Sequence, residues 1–242
     1  MKQFVRPEFP LEKIDRTMNE KMADLNQKPK LVDGLHSVPD DTRYYYVMSY
    51  GGCGSTLISR FLENYGRVKH LHTRVPPKEL EYAGYDNSDE KCKNTTHMNG
   101  IKVPEHLLKN FTVIYIYKDP VRAIYSRFSI PFHLKNVSCK MSIKKYDLLK
   151  SKKDLYGIEE FFDNWTTPDP ERNYDIICVK YSDLFDKQDE LFELLNLKVA
   201  PEDRLFKRET ERKNNTAEEK ILYQIYQPLI DKINSKKFIE IV

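Results

Sequence analysis

Apolar positions gather into a few short blocks separated by long polar stretches. Tyr44 to Met48 and Phe111 to Tyr117 are unbroken apolar or β-branched runs, and Tyr174 to Lys180 is a third, less pure one. Continuous rather than alternating apolar residues predict strands covered on both faces, as in a parallel sheet. Val68 to Leu71 predicts a shorter strand. Between these blocks the spacing changes to that of helices. Leu57, Ile58, Phe61 and Leu62 fall on one helical face, Pro120 starts a helix through Phe128, and 138–165 reads as helices laid over the core. Further helices are expected over Leu184–Leu197 and about Ala217–Ile233, with a short one over Pro104–Lys109. Strands alternating with helices imply a three-layer α/β/α domain with a mainly parallel sheet, spanning 44–242. Residues 1–43 are polar, carry four prolines and one possible helix (Leu11–Leu25), and read as an arm packed on that core. Residues 78–99 show no periodicity and read as a substrate loop or lid, and 73–100 is expected to be the most mobile part of the empty domain and to order on ligand binding.

Composition narrows the classes. Lys+Arg 40 against Asp+Glu 37 leaves a formal +3, so no bulk basic field points to nucleic acid. No apolar run is long enough to span a bilayer, and the first residues lack the apolar core of a secretion signal, so a soluble intracellular protein is expected. Cys53, Cys92, Cys139 and Cys178 lie far apart without CxxC spacing, which argues against a zinc site or a disulfide framework; no metal is expected.

The candidate chemistry sits at two strand ends. After Tyr44–Met48 come Gly51, Gly52, Cys53, Gly54, Ser55 and Thr56, then a helix. Strand, glycine turn, hydroxyls and helix start form an arrangement that turns backbone N–H groups toward a phosphate. It is not a Walker loop, because no Gly-Lys-Ser/Thr is present. The second motif is Lys118-Asp-Pro-Val-Arg-Ala-Ile-Tyr-Ser126-Arg-Phe. There a cation at the strand end and a hydroxyl two helical turns later suit a second phosphate.

Paired in this order, the motifs resemble the sulfotransferase family, which uses 3′-phosphoadenosine 5′-phosphosulfate. The resemblance covers roughly 44–200, and Val179-Lys-Tyr-Ser-Asp-Leu184 is similar to a later strand end of that family. It implies a P-loop-like sulfotransferase fold and transfer of a sulfuryl group to an acceptor hydroxyl, with adenosine 3′,5′-bisphosphate as product. It further implies that Gly51–Thr56 hold the 5′-phosphosulfate and that Lys118 and Ser126 hold the 3′-phosphate, with Arg208 and Arg212 joining them. Two departures stand out: Gly52 occupies the position of the family's loop cation, and Lys118 that of an Arg. Lys102 is the expected replacement for the loop cation, with Arg74 next in line. The base is His97 or His72, the latter in a His-Thr-Arg resembling the Glu-Thr-Arg of tyrosylprotein sulfotransferases. Sugar, small alcohol or phenol and peptide tyrosine stay open as acceptors, and no oligomeric state follows. Loss of the loop cation also leaves open a catalytically impaired nucleotide-binding protein; a nucleotide-dependent kinase is disfavoured by the missing Gly-Lys-Ser/Thr.

Overall fold

The computed structural model describes residues 42–84, 97–98, 100–127, 143–207 and 216–242. The chain divides into two units, Met1–His36 and Ser37–Val242. The first lies outside the described residues, as do the expected Leu11–Leu25 helix and nearly all of the expected arm.

Ser37–Val242 is built on a five-stranded sheet in the order β2-β1-β3-β4-β5. Strand β1 (Tyr44–Met48) leads through α1 (Ser55–Leu62) to β2 (Arg67–Leu71). A 3₁₀ turn (Glu105–Asn110) precedes β3 (Phe111–Tyr117), which opens into α2 (Pro120–Arg127). Helices α3 (Lys145–Ser151) and α4 (Ile158–Thr166) precede β4 (Ile176–Lys180), and α5 (Gln188–Leu194), α6 (Thr216–Ser235) and β5 (Ile239–Ile241) complete the unit. The first four strands are parallel, while β5 runs antiparallel to β4. A three-residue strand carries too little pattern to be read from sequence, and β5 was not expected.

The unbroken apolar runs have a direct structural cause. On one face of the sheet, Tyr45, Val47, Ile114, Ile116 and Val179 pack with Ile58 and Phe61 of α1 and Leu191 and Phe192 of α5. On the other, Tyr115 stacks on Trp165 of α4 at 5.6 Å between ring centroids, and Tyr117 meets Phe162 edge-on at 5.1 Å. Helices therefore cover both faces, and every residue of β1 is buried. None of the described helices is long and apolar enough to cross a membrane.

In the segment after β2, residues 73–84 make specific contacts to the rest of the unit. The indole N–H of Trp165 donates to the carbonyls of Thr73 and Arg74 at 3.0 and 3.1 Å, and the Tyr174 hydroxyl donates to the Pro77 carbonyl at 2.9 Å. Leu80 N–H donates to Asn173 Oδ1 at 2.9 Å. Polar, aperiodic sequence here reflects a strand of contacts to α4 and the chain beyond it, which a period search does not see. Residues 85–96 lie outside the described residues.

Candidate functional site

Strand order 2-1-3-4 makes the chain leave β1 toward one edge and β3 toward the other. Their carboxyl ends are thus a topological switch point, where the connecting loops part and leave a crevice. A cleft of about 880 Å³ opens there, and both sequence motifs line it. From the first motif come Gly51, Gly52, Gly54, Ser55 and Thr56; from the second, Lys118, Asp119, Arg122, Tyr125 and Ser126.

The first loop is held in a conformation suited to glycine. Gly51, Gly52 and Gly54 have φ of 97°, 69° and 90°, a region where an L side chain costs about 1–2 kcal/mol. At Gly54 there is no space either: a Cβ would sit 2.3 Å from Cε2 of Tyr181. The Gly51 N–H donates to Ser49 Oγ at 3.1 Å, and Ser49 Oγ donates to Ser55 Oγ at 3.0 Å. Helix α1 starts from Gly54 with no side-chain cap, so its first N–H groups and the hydroxyls of Ser55 and Thr56 face the crevice end of the helix. Cys53 does not line the cleft. Its thiol is buried and donates to the Gly51 carbonyl at 3.2 Å, and burial, opposed by the Lys118 ammonium, pushes its pKa up to about 12. It is a packing element and not a nucleophile at neutral pH.

The second loop carries the charge. Lys118 extends its ammonium over the Tyr181 ring, 5.4 Å from the centroid, an arrangement that favours the cation. Asp119 accepts from Arg122 N–H at 3.1 Å through Oδ1 and from the Tyr223 hydroxyl at 3.3 Å through Oδ2, which ties α6 to the start of α2. Lys207 adds a third cation to the lining, while Glu219, Ile233 and Asn234 of α6 close the far wall.

The remaining candidates separate sharply. His72 is buried, lines the cleft and holds Nδ1 3.4 Å from the Ser49 carbonyl oxygen. His97 is exposed and absent from the lining, although its neighbour Met98 donates its N–H to Thr73 Oγ1 at 2.8 Å. Lys102, expected at the leaving group, is not brought to the cleft. It belongs to a small antiparallel pairing with Glu81, is 70% exposed, and forms an ion pair with Glu79. Arg74 is also turned away. Its guanidinium donates to the Gly157 carbonyl at 2.8 Å and to Glu160 at 2.6 Å, serving the start of α4. Both corrections have one cause: sequence distance from a motif says nothing about which way a strand's alternation or a helix start draws a long side chain. Arg208 and Arg212 lie outside the described residues.

Some lining residues escaped the sequence reading. His70 shares the strand face of His72 two positions on, and the two rings lie 4.6 Å apart. That i, i+2 spacing at a strand end was the available signal. Arg122 stood inside the second motif without an assigned role. Tyr181 follows β4 directly, so its position at the same end of the sheet was implied by the parallel order. Comparison of the chain with family models, curated proteins and solved structures gives no match.

Proposed function

We propose that the cleft binds adenosine 3′,5′-bisphosphate and its phosphosulfate, and that the protein is a sulfotransferase of P-loop-like fold acting on an acceptor hydroxyl. The observation that carries this reading is the convergence of two separate anion-type loops, Gly51–Thr56 and Lys118–Ser126, on one crevice at the switch point. The donor set fits: loop N–H groups, the hydroxyls of Ser55, Thr56 and Ser126, and the cations of Lys118, Arg122 and Lys207. Asp119 and Glu219 are the acidic members of the lining; the Asp119 oxygens accept from the backbone N–H of Arg122 and from the Tyr223 hydroxyl, and Glu219 stands on the far wall.

In this reading the bound donor supplies the sulfuryl group and keeps the bridging oxygen's electron pair. Gly51–Thr56 hold the 5′ end through backbone donors. Lys118 and Ser126 hold the 3′-phosphate. His72 removes the acceptor proton with the ring nitrogen not facing Ser49, because it is the candidate base that lines the cleft. Cationic stabilisation of the leaving phosphate falls to the lining cations and the start of α1, since Lys102 and Arg74 are engaged elsewhere. The same observation favours a second reading, a nucleotide-binding protein without transfer. Gly52 leaves the loop without a cation, and neither expected substitute reaches the cleft.

Thermal unfolding tests the ligand. Adenosine 3′,5′-bisphosphate at a hundredfold excess over its Kd stabilises by about 2.7 kcal/mol, ATP does so much less, and Lys118→Ala abolishes the difference. Equal shifts with both nucleotides overturn the assignment. Incubation with 3′-phosphoadenosine 5′-phosphosulfate and a panel of hydroxyl acceptors, read by mass spectrometry, then separates enzyme from binder. Product that disappears in His72→Gln supports transfer; tight bisphosphate binding with no product on any acceptor supports the second reading.

A further inference from the structure

The β1–β3 hydrogen-bond ladder runs to the pair Met48–Tyr115 and then stops. From there the two chains part, and their parting makes the cleft. A side chain spans the gap. Tyr50 is fully buried, and its phenolic oxygen donates to the Lys118 carbonyl and accepts from the Lys118 N–H, the latter at 3.1 Å. Its ring meets Phe161 of α4 edge-on at 6.4 Å, so the phenol is held by the helix layer as well. One residue later, Gly51 N–H joins Ser49 Oγ, and Ser49 joins Ser55 at the first turn of α1. The glycine turn, the start of α1 and the residue that opens the second motif are therefore one hydrogen-bonded unit. Tyr50 is the member that crosses from one loop to the other.

We infer that Tyr50 is a positioning residue that locks the two loops at a fixed span, making the crevice selective for ligands with anionic groups on two separate arms. The ligand part of this inference rests on the function proposed above; the mechanical part does not. Phenylalanine would fill the same volume beside Phe161, so the hydroxyl is the feature that needs a reason. A hydroxyl at this depth holds its partners because separating them would leave buried polar groups unpaired. Burial also raises the phenol's pKa well above its ordinary value, so the O–H stays a donor. Two loops held at one spacing let the second anion of a ligand bind at high effective concentration. Loops moving independently would instead have to be ordered against each other on binding.

Hydrogen exchange and nucleotide binding test this together. In the ligand-free protein at low denaturant, the Lys118 and Gly51 amides exchange through one shared opening with the same denaturant dependence. Different dependences overturn the coupling. Tyr50→Phe speeds exchange at both amides and leaves those of β2 unchanged; no acceleration at Lys118 likewise overturns it. The same variant weakens adenosine 3′,5′-bisphosphate by about tenfold or more while 5′-AMP and 3′-AMP change less than about threefold, because only the two-armed ligand uses the fixed span. Equal weakening of all three, or of none, overturns the selectivity. Should the unaltered protein bind none of these nucleotides, the proposed function falls, and the exchange results for the wild-type protein and Tyr50→Phe decide whether Tyr50 couples the loops.

Discussion

Gly54→Ala isolates what the first loop requires of its backbone. Two costs add at this position. The φ of 90° places alanine in a region that disfavours L residues by about 1–2 kcal/mol. The new Cβ would also lie 2.3 and 2.5 Å from Cε2 and Cδ2 of Tyr181, and relieving such overpacking costs about 1–3 kcal/mol. The expected total is about 2–5 kcal/mol, the sum of those ranges. Urea unfolding measures it, provided the slope m stays constant. The two parts separate in a double-mutant cycle. In a Tyr181→Ala background the clash is gone, and Gly54→Ala should cost only the backbone part, about 1–2 kcal/mol. Tyr181 is also the ring beneath the Lys118 ammonium, so any shift forced by alanine reaches the second loop and weakens bisphosphate binding too. Equal costs of Gly54→Ala in both backgrounds would refute the clash, and a cost near zero would refute both parts.

Arg74→Ala removes donors from the carbonyls of Tyr156 and Gly157 at the start of α4 and should cost about 1–3 kcal/mol in urea unfolding. Glu160→Ala removes only its 67% exposed partner and should cost less than about 1 kcal/mol; equal losses would show that the ion pair, not the carbonyl contacts, matters. Raising the pH should loosen the core through its buried thiols. Burial, ahead of the opposing Lys118 and Lys236 ammonium groups, pushes Cys53 and Cys178 from an ordinary value of 9.0 up to about 12. The unfolded chain therefore ionises first, so stability is intact below pH 9 and falls as pH rises toward 12, by up to about 1.4 kcal/mol per pH unit per thiol. Unfolding free energies at increasing alkalinity check this, and an unchanged slope in the Cys53→Ala/Cys178→Ala variant would refute it.

Local pattern was enough for the layered core. Tyr44–Met48 and Phe111–Tyr117 were legible to the residue because an unbroken apolar run of that length fits a strand buried on both faces. The two loops were legible for a related reason: Gly51, Gly52 and Gly54 mark positive φ, and a cation at the end of a buried strand has few places to go but the sheet's carboxyl edge. Helix α5 was expected from Leu184 yet starts at Gln188, since the turns after β4 carry apolar residues such as Leu184 that fill the core without helical geometry.

Which side chains share the cleft was decided only in three dimensions. Lys102 and Arg74 are near the motifs in the chain, but an antiparallel pairing with Glu81 and the carbonyls at the head of α4 draw them elsewhere. His70 and His72 arrive because β2 lies beside β1, a fact of strand order that no window of sequence contains. Tyr50 shows the difference most plainly. Its sequence surroundings mark it only as the last aromatic before a glycine turn. Its hydroxyl acquires a role only because β3 comes from more than sixty residues away to end beside it, putting the backbone of Lys118 within reach.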